Sequence, residues 1–173
     1  MSTFKKKETQ KAADIVSSAG GKIVGRTRLQ KIGYLLEITG LGDGFEFEYR
    51  HYGPYSEALA TASRNAALLD LIDEEELQAS WGGHYSIFTS KKITDTSDDQ
   101  RATLAKTAAE ADAIELELAA TAAFLYSKGF KDAWEETARR KPEKATNERI
   151  QQSKELYEKL SHLDTPIALP KIQ

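Results

Sequence analysis

The chain has 173 residues, of which 40% are hydrophobic and 29% are charged, and its formal net charge is −3. This composition suits one folded domain, or a small domain with a helical extension, and excludes a wholly disordered chain. Cysteine is absent, which excludes disulfides, cysteine-ligated metal sites and thiol catalysis and fits a cytoplasmic protein. No apolar run reaches the roughly 20 residues that a membrane-spanning helix needs, so we predict no membrane segment.

The N-terminal region predicts two helices separated by a glycine pair. The first covers residues 8–19 and ends at Gly20, where a left-handed cap is typical. The second begins at a capping Thr27 and carries one apolar stripe at helical spacing, made of Leu29, Ile32 and Leu36. Arg28 and Lys31 lie off that stripe, so we expect both side chains to face water or a partner.

After a glycine-rich turn at residues 40–44, residues 45–50 alternate aromatic and charged side chains, which predicts a half-buried strand. Its core face holds Phe45, Phe47 and Tyr49. Gly53 and Pro54 are expected to end this strand, and Ser56 to cap a third helix. Residues 73–76 are interpreted as a charged connector to a hairpin with strands at 76–80 and 84–89.

This order of elements predicts an α+β, mostly helical fold with a winged-helix-like N-terminal module over residues 8–93. A helical extension follows over residues 97–163, and residues 1–7 and 164–173 are expected to be flexible tails. The extension carries a long apolar stripe: Leu104, Ala108, Ala111, Ile114, Leu118 and Leu125. Such a stripe must be covered, either by a homodimer, which we favour, or by the winged module itself.

Catalytic and metal-binding patterns are missing from the sequence. The three histidines, His51, His84 and His162, lack the close spacing of a zinc site. There is no nucleophile elbow, no phosphate-binding glycine loop followed by lysine, and no dinucleotide fingerprint. The sequence therefore predicts a protein that is not an enzyme and needs no cofactor.

The basic residues near the N-terminus are the main candidate for ligand binding. Eight of them lie within residues 5–31: Lys5, Lys6, Lys7, Lys11, Lys22, Arg26, Arg28 and Lys31. They form either a cationic face for phosphates or merely a solubilising tail and an ordinary helix surface. The third helix, which reads DNA in winged-helix proteins, offers only Arg64 and Asn65 for base contacts.

Two blocks of sequence resemble a known family. Residues 25–36 (GRTRLQKIGYLL) and 49–59 (YRHYGPYSEAL) resemble the "GRTKLQKLVYLL … YGPYS" pattern of the small prokaryotic YwgA-like proteins. More distantly, they are similar to the Panacea (SocA-like) domain. The stretch 135–160 also resembles the C-terminal region of the YwgA-like group. Panacea domains act as antitoxins and proteolysis adaptors, and the resemblance supplies no catalytic residues.

We therefore expect a non-catalytic macromolecule-binding protein, regulatory or antitoxin-like, that contacts another protein, for example a toxin. The alternative is a winged-helix DNA-binding regulator that uses the basic patch. The two family blocks are expected to touch and to form one surface with Tyr52 and Tyr55 beside the Gly-Pro turn. The candidate binding residues are Arg26, Arg28, Lys31, Arg50, His51, Tyr52, Tyr55 and Arg64.

Overall fold

The computed structural model describes residues 6–92 and 99–173, and these form an α+β fold that is mostly helical, as predicted. The helices are α1 (Glu8–Ser18), α2 (Arg26–Ile38), α3 (Glu57–Leu68), α4 (Gln100–Glu110), α5 (Ala113–Ser127), α6 (Ala133–Arg140) and α7 (Asn147–Ser161). The strands are β1 (Lys22–Val24), β2 (Glu48–Arg50), β3 (Gly53–Tyr55), β4 (Ile72–Gln78) and β5 (His84–Ser90). Lys5, most of the 1–7 tail and the predicted boundaries at 93 and 97 lie outside the described residues.

An antiparallel sheet with strand order β1-β5-β4 lies beside α1, α2 and α3. Ile23 on β1 pairs with Phe88 on β5, and both side chains are buried. Sequence analysis missed β1 because three residues are too few for a period to show. It also placed residues 73–76 in a connector, whereas they belong to β4. This strand lies at the sheet edge, where charged side chains remain hydrated and oppose edge-to-edge pairing.

The predicted strand at 45–50 is a short hairpin instead. Only Glu48–Arg50 pair, and their partner is the segment Gly53–Tyr55, which was expected to end the strand. The predicted alternation is nevertheless present, because Phe45 is buried and Phe47 and Tyr49 pack against the core. Pro54 is tolerated because a two-stranded ribbon leaves one side of each strand without a ladder partner.

The stripe of the extension is divided between two helices, and the chain itself covers it. Asp112 breaks the stripe, because its Oδ1 accepts hydrogen bonds from the backbone N–H groups of Ile114 and Glu115 and starts α5. α4 packs on α1 and α2, and α5 packs on α2, α6 and α7. Leu104, Ala108, Leu118 and Leu125 of this stripe are buried, and Ala111 and Ile114 are half-buried. Most of the apolar surface that suggested a homodimer is therefore covered within one chain.

The C-terminal segment 164–173, predicted as a flexible tail, packs on the core. Leu169 is buried, the Ile167 N–H donates to the Thr39 carbonyl at 3.0 Å, and the Tyr157 hydroxyl donates to the Pro170 carbonyl. These contacts close the end of the molecule formed by α2 and α7. No helix in the two described ranges is long and apolar enough to cross a membrane.

Candidate functional site

The two blocks that carry the family resemblance touch, as predicted. Gln30 on α2 is bonded at both ends of its amide: its Nε2 donates to the Ser56 carbonyl at 3.0 Å, and its Oε1 accepts from the Ser56 N–H at 2.8 Å. The Lys31 ammonium donates to the Pro54 carbonyl at 2.8 Å. Two consecutive residues of α2 therefore hold the returning strand of the β2–β3 hairpin and the start of α3.

Lys31 was expected at the surface, and this prediction is wrong, because only 1% of the residue is exposed. The hairpin lies over the part of α2 that would otherwise face water. Burial lowers the pKa of Lys31 to about 7, with an opposing contribution from Glu117 and a further lowering by Lys141 and Lys144. Near neutral pH this lysine is thus poised between its charged and neutral forms.

Glu117 on α5 is a buried carboxylate shared by two lysines from the segment after α6. The ammonium of Lys144 lies 3.0 Å from both of its oxygens, and that of Lys141 lies 3.4 Å from Oε2. Lys141 also donates to the His51 carbonyl at 3.2 Å, and burial lowers its pKa. Lys31 and Lys141 thus bind backbone carbonyls on both sides of the hairpin turn and anchor it to α2 and to the C-terminal end of α6.

The turn between these anchors presents Tyr52 to the solvent. Tyr52 is 51% exposed, with the Lys144 ammonium 4.6 Å from its ring centroid and the His51 ring in an edge-on arrangement at 5.8 Å. An amphipathic ring supported by a cation and held on a tight turn is typical of a protein contact site.

The other predicted site residues have varied environments. Arg26 is largely exposed but donates to Glu74 at 2.9 Å. Arg28 was expected to face water, yet it is half-buried and donates to the carbonyls of Val24 and Ala111. Arg50 pairs with Glu48 and stacks on the Tyr55 ring at 5.3 Å. Arg64 is exposed and makes no ion pair with any described carboxylate.

Two cavities meet at Tyr52. The first, between α2 and α3, encloses about 220 Å³ and is lined by residues that include Arg26, Gln30, Lys31, Tyr52, Tyr55 and Arg64. The second is a wider groove of about 570 Å³ between the β4–β5 hairpin and the start of α5. Its lining includes Val24, Trp81, Ile114 and Lys144, and Trp81 is 77% exposed. We call the surface formed by Arg26, Tyr52, Tyr55, Arg64, Trp81 and Lys144 the Tyr52 face.

Sequence reasoning missed Trp81 and Lys144 as parts of this surface, and Glu117 as the buried carboxylate that holds Lys144. Glu117 left a signal, because it lies between Leu116 and Leu118 at the start of the apolar part of α5, where a buried carboxylate needs a partner; Glu115 is the other acidic residue of this helix. The lysines that supply this partner can be identified only from the tertiary structure. Trp81 lies in the tight turn of the hairpin and was interpreted only as part of that turn.

The Tyr52 face is suited to binding anionic and aromatic groups. Its polar atoms belong to guanidinium, ammonium and phenol groups, which are hydrogen-bond donors for carboxylates and phosphates. Within residues 6–92 and 99–173, no group of three or more His, Asp or Glu side chains is placed to hold a metal ion.

In comparisons with known proteins, no family model, no curated protein and no solved structure matches this chain.

Proposed function

We propose that this chain is a non-catalytic binding protein that uses the Tyr52 face to hold an acidic segment of a partner protein. The observation that carries the proposal is an exposed tyrosine and tryptophan beside two cavities lined by five basic residues and three acidic ones, on a chain whose net charge is −3. Such complementarity favours a partner of opposite charge and disfavours other acidic surfaces.

The scaffold that we propose is a winged-helix variant. Three helices, a sheet in the order β1-β5-β4 and a β4–β5 wing support this assignment. The β2–β3 hairpin is an insertion between the second and third helices, which is where a plain helix-turn-helix has only a turn. The insertion carries Tyr52, so the feature that departs from the DNA-binding architecture is also the centre of the proposed contact surface.

Several features favour a protein partner over DNA. The basic residues of the 5–31 set do not form the extended cationic surface that a duplex needs: Lys6 pairs with Asp14, Lys11 with Glu8, and Arg28 is bonded to backbone carbonyls. Lys31 lines a cavity and is 1% exposed, which puts it out of reach of a duplex backbone. The wing strand β4 exposes Asp73 and Glu75, which line neither cavity of the Tyr52 face and would repel the phosphates of a duplex on the wing.

The outer side of α3 is also poor at reading bases. Arg64 and Asn65 are exposed there, but so are Glu57 and the apolar Leu68, which is 78% exposed. Base readout draws on several polar side chains at successive turns. An exposed leucine and a single arginine are more typical of a protein contact, in line with the adaptor and antitoxin roles that the family resemblance implies for a cytoplasmic protein.

A selection from a random peptide library tests the proposal. We expect peptides selected on the wild-type protein to be enriched in Asp and Glu and to contain an apolar anchor. Arg64→Glu and Tyr52→Ala should each weaken their binding at least tenfold. Lys154→Glu, the same charge reversal on the exposed side of α7, should leave it unchanged.

The proposal is overturned if the selected peptides carry no excess of acidic residues, or if they bind all four proteins equally. It is also overturned if duplex DNA binds instead, with an affinity that falls steeply with salt and with the removal of Arg64. That result would establish the DNA-binding alternative.

A further inference from the structure

We infer that the cavity between α2 and α3 is a carboxylate-binding site in which Lys31, Arg26 and Arg64 supply the positive charge. The inference rests on the proposed function for the source of the carboxylate, an Asp or Glu side chain of the bound segment. It adds which cavity receives that side chain and which residues of this chain neutralise it.

The cavity matches a carboxylate in size and in the chemistry of its lining. About 220 Å³ is far larger than one water and accommodates an acidic side chain with its last methylene groups. Three cationic residues line it, against Glu74 as the carboxylate among its lining residues. Glu74 is already engaged, because it accepts from Arg26 at 2.9 Å and from the Ser86 hydroxyl at 2.6 Å. Arg64, at the α3 side, makes no ion pair with a described carboxylate.

Lys31 is the least compensated cation of the cavity. A protonated ammonium has three N–H donors, and the Pro54 carbonyl is its one hydrogen-bond acceptor among the described residues. The nearby carboxylate of Glu117 is occupied by Lys144 and Lys141 and lies beyond ion-pair distance of Lys31. A buried charge without a close counter-charge is costly, so an anion bound in the cavity would stabilise the Lys31 ammonium by supplying its counter-charge.

Binding of a carboxylate should therefore be coupled to proton uptake by Lys31. In the free protein the pKa of Lys31 is about 7, so above neutral pH the side chain is largely neutral. A carboxylate favours the charged form and raises that pKa, so one proton is taken up on binding at pH 8, and affinity falls by up to tenfold per pH unit above pH 8. The charged and titratable groups around Lys31 and its cavity are Glu117, Lys141, Lys144, Arg26, Arg64, Glu74, Tyr52 and Tyr55.

Calorimetry at pH 8 in two cationic buffers of different ionisation enthalpy measures the number of protons taken up. The probes are a selected acidic peptide, the same peptide with its Asp and Glu replaced by Asn and Gln, and sodium acetate. We expect the acidic peptide to bind wild type with uptake of nearly one proton and the amide peptide to bind at least tenfold more weakly. Acetate binding with the same uptake would show that a free carboxylate suffices, and binding of the peptide alone would assign the carboxylate to the segment.

Lys31→Met keeps the length and the apolar stem of the side chain but removes the titrating group. It should abolish the proton uptake and lower the affinity for the acidic peptide about tenfold. Arg64→Gln is the second variant, since it is exposed and does not threaten folding; it should weaken the peptide but keep the uptake. Lys128→Met is the control, because Lys128 is an exposed lysine that lines a different cavity, beside Phe124, and has no part in the pKa shift of Lys31. It should leave both the peptide affinity and the proton uptake unchanged.

The inference is overturned if wild type binds the peptide without proton uptake, or if Lys31→Met takes up as many protons as wild type. If Tyr52→Ala still abolishes binding in that case, the proposed function stands and only the carboxylate site is wrong. If acetate binds with proton uptake while no acidic peptide is ever selected, the carboxylate site stands and the proposed function is wrong.

Discussion

Gly53 places the β2–β3 hairpin against α5, and its replacement by alanine tests that placement. Its φ of +92° is a conformation that L side chains rarely adopt. A Cβ built at this position would lie 2.3 Å from the Oγ1 of Thr121 and 3.4 Å from its Cβ. Thr121 is fully buried, and its hydroxyl has no hydrogen-bond partner among the described residues.

Replacing Gly53 has two separate costs, one from its backbone conformation and one from the steric clash with Thr121. A left-handed φ costs a non-glycine residue roughly 1–2 kcal/mol. Forcing a methyl group into a filled space costs roughly 1–3 kcal/mol more. Gly53→Ala should therefore lower the free energy of unfolding by about 2–5 kcal/mol, measured by urea denaturation.

A double-mutant cycle with Thr121 isolates the steric part. Thr121→Ala removes the clashing atom without breaking a hydrogen bond, so in that background Gly53→Ala should cost only about 1–2 kcal/mol, the φ term. Thr121→Val keeps an atom at the clashing position and is the matched control, in which the full cost should remain. An equal cost of Gly53→Ala in all three backgrounds would refute the close approach of the hairpin to α5.

Three further results are expected. The pKa of Lys31 is about 7 in the folded state and near 10.5 in the unfolded chain, so between these pH values the unfolded chain binds more protons. The free energy of unfolding should therefore rise with pH in that range, by up to about 1.4 kcal/mol per pH unit, and Lys31→Met should flatten this slope in urea titrations. Light scattering at micromolar concentration should give the monomer mass of 19.2 kDa, and a doubled mass would show that surfaces other than the buried extension associate. Trp81→Ser should change the free energy of unfolding by less than about 0.5 kcal/mol but weaken the selected peptide, and unchanged peptide binding would remove Trp81 from the Tyr52 face.

Local patterns predicted most of the helices and the wing. The predicted cap at Ser56 is present, with its hydroxyl accepting from the Leu59 N–H. The predicted cap at Thr27 is wrong, because α2 begins at Arg26 and Thr27 lies inside it. Helices and their caps depend on residues close in sequence, which is why most of them can be predicted from it. The contact between the two family blocks was also expected, but from the resemblance rather than from periodicity.

The errors share a different cause, which is long-range packing. Lys31 lies off the apolar stripe of α2 and would be exposed on an isolated helix, but an inserted hairpin covers it and the Pro54 carbonyl accepts a hydrogen bond from its ammonium group. Residues 73–76 look like a solvated connector, yet at a sheet edge such a sequence forms a strand. The homodimer stays untested, but the stripe that suggested it is largely covered by α1, α2, α6 and α7, and that cover cannot be assigned without the tertiary structure.

The most direct test of the proposed binding function is a map of where an acidic peptide touches the protein. Amide chemical shifts of the 15N-labelled protein, followed during titration with a peptide from the selection, should change at residues 26–31, 52–56 and 64 and around Trp81. Residues 147–161 of α7 serve as the internal control and should not shift. Saturable shifts confined to α7, or no shifts at the Tyr52 face when the peptide is bound, would contradict the account.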